Sequence, residues 1–321
     1  MRIFVAGATG AIGRRLVPAL IARGHQVIAA TRHAAKGGPL RALGAEVAVV
    51  DGLDAAAVGE AVARAAPDAI VHQMTALAGV PDFRHFDHWF SGTNALRTRG
   101  TRHLLAAARA TGVRQFVAQS YTGWTNIRSG GPRKTEDDQF DPSPAKAQTE
   151  TMLAIQGLEK AVLEAPLASV VLRYGSFYGP GASDGLVELV RRRRMPIIGD
   201  GAGVWSWIHL DDAASATIAA LENGLTGIYN VTDDEPAAVA EWLPYLAEVV
   251  GAKRPLRVPV WAGRLLAGEV VTRMMTEVRG SSNEKLRRAV DWQPRWRTWR
   301  DGFRFALGDR SVAAGAASRA A

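Results

Sequence analysis

The sequence contains no cysteine, which excludes disulfide staples, thiolate nucleophiles and cysteine-held metals in one step. Lysine is scarce too: Lys36, Lys134, Lys146, Lys160, Lys253 and Lys285 are all there are among 39 basic residues. No apolar run approaches the length of a bilayer crossing, and no basic segment with an apolar core precedes the first predicted strand. A cytoplasmic chain with no membrane partner is the expectation. The net charge of +8 would suit nucleic acid, but the charge is scattered. Its one dense run, Arg191 to Arg194, follows Leu186, Val187, Leu189 and Val190 and reads as a helix C-terminus, where the dipole favours cations. A phosphate-bearing substrate is the alternative for that run, and no nucleic-acid partner is expected.

With 321 residues and 47% apolar content, the chain can bury one large core or two smaller ones. Its most informative stretch is the first, Met1-Arg-Ile-Phe-Val-Ala-Gly7-Ala-Thr-Gly10-Ala-Ile-Gly13. A β-rich run breaks into three glycines, and an apolar-periodic helix through Leu16, Val17, Leu20 and Ile21 follows. This is the strand, turn and helix of a dinucleotide-binding unit: a tight turn at Gly7, close approach to pyrophosphate at Gly10, and close helix–strand packing at Gly13. Helix-start amides around Thr9, Ala11 and Ile12 would face the phosphates.

The spacing Gly-x-x-Gly-x-x-Gly within Ala6-Gly-Ala-Thr-Gly10 resembles the extended short-chain dehydrogenase/reductase family, in its epimerase and dehydratase branch. The resemblance runs over about residues 1–305. It implies an α/β fold with a doubly wound parallel Rossmann sheet and a smaller C-terminal substrate lobe. The dinucleotide-binding domain is expected at 1–175, its sheet completed by about 205–232, with the substrate lobe at 176–204 and 233–305. A small, polar tail at 306–321 is expected to be disordered.

The second predicted strand, Gln26 to Arg32, lacks a terminal acid. An NAD site places Asp or Glu there for the ribose, whereas an arginine suits the 2′-phosphate of NADP, so Arg32, with His33 and Lys36 near, predicts NADP(H), NAD(H) being the alternative. A third strand, Ala45–Val50, leads to Asp51 and Leu53, where family members contact adenine, and Asp54 is placed to cap a helix at 55–65. The fourth strand, Asp68–His72, continues into Met74 and Thr75 at the ligand crevice. The loop 79–92 carries His85-x-x-His88, but no third ligand accompanies it, and no metal is predicted. Asn94 is taken to open a helix at 95–111 and, from the resemblance, to lie on the cofactor side. The fifth strand, 112–119, delivers Ser120 and Tyr121. A long segment, 122–146, has the length of a lid or binding loop. A helix at 147–165 and a sixth strand, Ala168–Arg173, follow, and the segment Arg173–Gly181 resembles the family stretch that passes the nicotinamide, implying Tyr174, Ser176 and Phe177 as cofactor neighbours. His209, beside Asp211 and Asp212, reads as part of a helix cap.

The resemblance also implies a catalytic tyrosine four residues before a lysine on one helical face, the ammonium lowering the phenol pKa. Here the five tyrosines are 121, 174, 178, 229 and 245, and none has lysine at that spacing. The nearest match is Gln156 with Lys160. Ser120, Tyr121 and Lys160 are therefore the candidate catalytic residues, with Tyr178, water or the substrate itself as rival proton donors. Two function classes result: an atypical NADPH-dependent reductase acting on a carbonyl of a small organic substrate, or a redox-sensing NADP-binding regulator. A nucleotide-sugar epimerase or dehydratase is the alternative enzyme. Trp124, Trp205, Trp207 and Phe177 either line an aromatic pocket or belong to the core. The partner is a small molecule, and the chain is expected to be a monomer or homodimer.

Overall fold

In a computed structural model, which describes residues 1–77 and 82–308, the chain alternates strands and helices from its second residue. Strands β1 (Arg2–Ala6), β2 (Gln26–Thr31), β3 (Glu46–Val49), β4 (Ala69–His72) and β5 (Gln115–Tyr121) join Ala168–Tyr174 and Gly227–Val231 in one sheet. Its order is Gly227–Val231, Ala168–Tyr174, β5, β4, β1, β2, β3, every pair parallel. Such a sheet is covered on both faces, so its central strands read as nearly unbroken apolar runs; Ile3 to Ala6 and Ala69 to His72 are all buried. The chain leaves β1 toward β2 and β3, then returns to β4 on the other side. The order thus reverses between β1 and β4, and the crevice at their C-terminal ends is where such folds bind ligands.

The helices are α1 (Gly13–Ala22), α2 (Gly37–Ala42), α3 (Ala55–Ala65), α4 (Phe86–Ala95), α5 (Thr101–Thr111), α6 (Thr149–Leu163), α7 (Asp184–Arg191), α8 (Leu210–Glu222), α9 (Val239–Val249) and α10 (Val260–Thr276). Leu16 and Leu20 of α1 and Ala213 and Ala216 of α8 pack with Ile3, Val5 and Leu172 on one face. Val62, Leu104 and Leu158 cover Phe4, Ile70 and Phe116 on the other. Asp54 accepts from the Ala57 amide at 3.0 Å and caps α3 as expected. Arg191 ends α7. Among the described residues no helix is long and apolar enough to cross a membrane.

Four expectations need correction. The helix expected to begin after Asn94 begins at Phe86, and Asn94 lies inside it. Phe86 is buried and starts the face, and a π-turn, Leu96–Gly100, joins α4 to α5 without a break. His85 accordingly sits at the helix start, bonded to Asp82, while His88 is exposed; the positions 79–81 of that predicted loop lie outside the described residues. Second, the segment 122–146 is tied down rather than free. Arg133–Lys134 pairs in parallel with Gly280–Ser281, Arg128 grips Asp141 and Glu277, and Glu136 accepts from the Asn230 amide at 2.6 Å. Third, Trp207–His209 does not join the main sheet but pairs with Ser176–Tyr178; Gly227–Val231 completes the sheet alone. Fourth, the last helix runs Trp299–Leu307, so residues 306 and 307 are ordered, and 309–321 of the predicted tail lie outside the described residues.

Two further apolar clusters build the remainder. Tyr178, Ile198, Trp207, Trp242, Trp299 and Phe303 form one. Phe86, Trp124, Met152, Ile155, Val270 and Met274 form the other, which joins α4, α6 and α10 above the strand ends.

Candidate active site

The glycine turn is built by contacts that forbid side chains. Gly7 has φ +91°, and a Cβ there would lie 2.5 Å from the Gln73 carbonyl oxygen; at Gly13 it would lie 2.4 Å from that of Gly7. At Gly10 it would meet only the Gly7 oxygen, at 3.2 Å, so the space beyond Gly10 is open. The amides of Thr9, Ala11 and Ile12 have no acceptor among the described residues. The start of α1 has no side-chain cap and no acid, and carries Arg14 and Arg15 instead. A helix N-terminus prefers negative charge, so this one is electrostatically incomplete without an anion. The open space, the free amides and Arg14 fit a pyrophosphate; Arg15 is already engaged, its Nε 3.4 Å from Asp211 Oδ1 and its Nη2 donating to the Pro180 carbonyl at 3.1 Å.

At the other end of the turn, Arg32 is exposed beyond β2, its Nε directed to His33 Nε2 at 3.1 Å, with no acid bonded to it. Asp51 Oδ1 accepts from the Leu53 amide at 2.9 Å, which shapes the turn after β3. Thr75 is exposed in the crevice, whereas Met74 packs down over Gly52 and Gly100. His72, at the end of β4, is fully buried and bonds Thr101 Oγ1 at 3.0 Å; burial pulls its imidazole down to about 4.

The catalytic candidates separate. Ser120 is 2% exposed, and its hydroxyl donates to Glu159 Oε1 at 2.6 Å. Glu159 in turn receives Arg173 Nε at 2.8 Å and Nη2 at 2.6 Å. The hydroxyl is therefore committed to a buried ion pair and not turned to the crevice. Lys160 is 74% exposed and reaches only Glu164, at 3.9 Å. It cannot orient a cofactor, because the inward face of α6 is Thr151, Met152, Ile155, Leu158, Glu159 and Val162. Thr151 and Ile155, not Gln156 and Lys160, occupy that face at a four-residue spacing. The Tyr174 ring is sealed in the core, its hydroxyl 2.7 Å from Thr217 Oγ1. Tyr178 is equally sealed, its hydroxyl without a hydrogen-bond partner among the described residues, and burial pushes its phenol far up; it is no proton donor. Trp207 is core, and Phe177, half-buried, packs on Tyr174.

Tyr121 is the phenol that remains at the strand ends. Its oxygen is 3.3 Å from Ser176 Oγ, and the two flank a narrow recess with Trp124, Trp205, Met274 and Val278. Burial raises its pKa, against smaller lowering by the Ser176 bond and the Arg97 charge. Between α4 and α6, Asn94 Nδ2 donates to Thr151 Oγ1 at 2.9 Å. Thr151 Oγ1 donates to Asp87 Oδ1 at 2.6 Å, and Asp87 also accepts the Glu150 and Thr151 amides. Asp87 thus caps α6 across 63 residues, a role its place in a predicted loop concealed. His209 caps α8 by accepting the Asp211 amide at 3.2 Å. Among the described residues no group of three or more His, Asp or Glu is arranged to hold a metal.

A family model, the NAD dependent epimerase/dehydratase family, matches residues 3–232. The chain is 44% identical over 309 residues to a 3-diazoavenalumate denitrifying reductase from a Streptomyces species, covering 94% of this chain and 99% of that one. It is 30% identical over 272 residues to a 2-alkyl-3-oxoalkanoate reductase of Stenotrophomonas maltophilia, covering 79% and 77%. Its fold superposes with TM-score 0.71 on the UDP-glucose 4-epimerase of Thermus thermophilus in complex with NAD, at 25% identity over 95% of this chain and 97% of the other.

Proposed function

Because this chain belongs to the NAD dependent epimerase/dehydratase family and is an oxidoreductase with a nicotinamide cofactor, we propose that it is an NADPH-dependent reductase whose acceptor, a diazo compound in its aryl diazonium form, takes hydride without a proton from a protein phenol. The observation that carries this reading is the inward face of α6, where Thr151 and Ile155 stand and Lys160 points to solvent. A carbonyl acceptor needs an acid for the oxygen it leaves behind. The phenol in the recess, Tyr121, has its pKa raised and not lowered, which makes it a poor acid. A bound reduced nicotinamide would supply the hydride: delivered to the carbon of an aryl diazonium cation, it becomes the new C–H bond as the C–N bond breaks and N₂ departs, so charge balances with no proton required.

The protein's part is binding and shielding. Thr9, Ala11, Ile12 and Arg14 would hold the pyrophosphate, and Arg32 the 2′-phosphate, in place of the acid an NAD site uses. Asp51, Leu53 and Thr75 would line the adenosine side of the same crevice. Trp124, Trp205 and Met274 would shield the recess above β5, whose polar side chains are Tyr121, Ser176 and Ser206. Epimerisation fits poorly, since it needs reversible proton exchange at one oxygen. A redox-sensing regulator, the other class raised by the sequence, has no support from relatives that are named for reactions. Ketone reduction is the second reading, favoured by the one phenol, Tyr121, and by the 30% identical oxoalkanoate reductase.

The test is turnover of 3-diazoavenalumate labelled with ¹⁵N, using NADPH deuterated at C4. Release of labelled N₂ with deuterium in the new C–H bond is expected. No N₂, together with reduction of a 2-alkyl-3-oxoalkanoate, would replace this reading by the second.

A further inference from the structure

Arg97 lies on the π-turn between α4 and α5 and is 8% exposed. Charged side chains are almost never buried so completely unless paired, and an unpaired buried charge is costly. Arg97 nonetheless has no carboxylate within ion-pair distance among the described residues. Its one hydrogen bond is a long one, from Nη1 to Asn94 Oδ1 at 3.4 Å. Its guanidinium stands 5.7 Å from the centre of the Phe90 ring, and its charge is felt both by His72 at the end of β4 and by Tyr121 at the end of β5. Phe90 packs on Phe86, Phe86 on Trp124 and Trp124 on Tyr121, so the group lies beside the aromatic cluster at the end of β5. Burial lowers its pKa only to about 10, so it is charged at neutral pH. A guanidinium offers five N–H donors in a planar fork, and here four are unused. Those nitrogens are not among the sealed, partnerless polar atoms of the chain, so they keep some access to solvent. π-Turns inside helices recur at functional sites.

We propose that Arg97 binds the substrate's carboxylate: the fork receives an anionic carboxylate of an apolar, unsaturated molecule whose body lies among Phe90, Trp124 and Tyr121. This deepens the reductase reading and rests on it for the word substrate. A carboxylate completes the ion pair that the fold leaves open, and planar bidentate pairing is the geometry Arg provides and Lys does not.

The experiment is calorimetric titration of the protein with cinnamate and with cinnamamide, which differ only in the charged group, each with and without saturating NADP⁺. Cinnamate should bind about tenfold or more tighter than the amide, the scale of a charge-assisted hydrogen bond. Arg97→Gln should bring the two ligands to equal affinity, and Arg97→Lys should restore part of the difference. Equal affinity in the wild type, or a preference that survives Arg97→Gln, overturns the proposal. So does a loss of about tenfold or more in NADP⁺ affinity in Arg97→Gln with the carboxylate preference intact, which would give the guanidinium to the cofactor. Because the titration without NADP⁺ stands by itself, failure of the reductase reading leaves the Arg97 result decidable.

Discussion

Ser120 Oγ donates to Glu159 Oε1 over 2.6 Å, and Glu159 holds Arg173 with both oxygens. The three side chains lie under the strand ends as a closed set. Ser120→Ala should therefore cost about 1–3 kcal/mol of stability, the range for a hydrogen bond to a charged group, while hydride-transfer kcat stays within about threefold. Glu159→Ala should cost about 3–5 kcal/mol, because it strands a buried guanidinium. Urea unfolding beside single-turnover NADPH oxidation checks both; a large kcat loss in a fully stable Ser120→Ala protein would return the hydroxyl to catalysis.

Cofactor choice should rest on Arg32. NADPH is expected to bind about tenfold to a hundredfold more tightly than NADH, as one charged phosphate contact allows, and Arg32→Asp should reverse the order. Calorimetry with both cofactors decides, and equal wild-type affinities would count against it.

Gly10 and Gly13 should behave differently when replaced by valine. At Gly10 the nearest atom to a new Cβ is 3.2 Å away, so the fold should persist while NADPH binding is lost; at Gly13 the new atom is forced to within 2.4 Å of backbone oxygen, so the protein itself should be destabilised or fail to fold. Thermal melting with and without NADPH separates the cases. Ligand stabilisation of Gly10→Val would displace the phosphate site from this turn.

Lys160→Ala should leave both cofactor KM and kcat unchanged, since the ammonium is in solvent. Tyr121→Phe discriminates the two chemistries: within about threefold of wild type if the acceptor needs no acid, or lower by ~10²-fold if a ketone is protonated by this phenol. Steady-state rates on a diazo and a keto substrate supply the comparison.

His72 predicts a pH dependence of stability. Its folded pKa is lowered from 6.5 to about 4, so the unfolded chain binds more protons between those values, and stability is lost as pH falls from 6.5 toward 4. The shift corresponds to about 3 kcal/mol. Asp212, pushed up to about 6 by burial, acts oppositely, gaining stability as pH falls below 6. Comparing wild type with His72→Gln by urea titration at several pH values isolates the histidine: the gap should narrow in acid, and a constant gap would contradict the assignment.

The phosphate turn is legible in the sequence because its glycines follow a strand and open a helix, and each meets a specific contact in the fold. The doubly wound sheet follows from the alternation of short apolar runs with helical periods. A search for lysine pairs Gln156 with Lys160, although the apolar period through Met152, Ile155, Leu158 and Val162 already sets Lys160 on the outside. Ser120 is similarly placed by its strand end, whereas its direction depends on Glu159, 39 residues later. Arg97 is not legible at all: one arginine in an arginine-rich helix carries no signal, and only the absence of a neighbouring acid in three dimensions distinguishes it.

The π-turn at Leu96–Gly100 has a consequence for how this site can change. An α-helix advances by about 100° per residue, and a π-turn absorbs one residue of that rotation. Asn94 and the capping Asp87 precede it, and the core-packed Leu104, Leu105 and Ala108 follow it. Deleting a single residue here would therefore let the turn revert to a regular α-turn, with both groups kept in their present orientation and only the turn itself remade. The segment that carries Asp87 and Asn94 and the core-packed segment after it thus keep their angular registers through a one-codon loss, and what such an event changes is the place of Arg97, which stands in the turn.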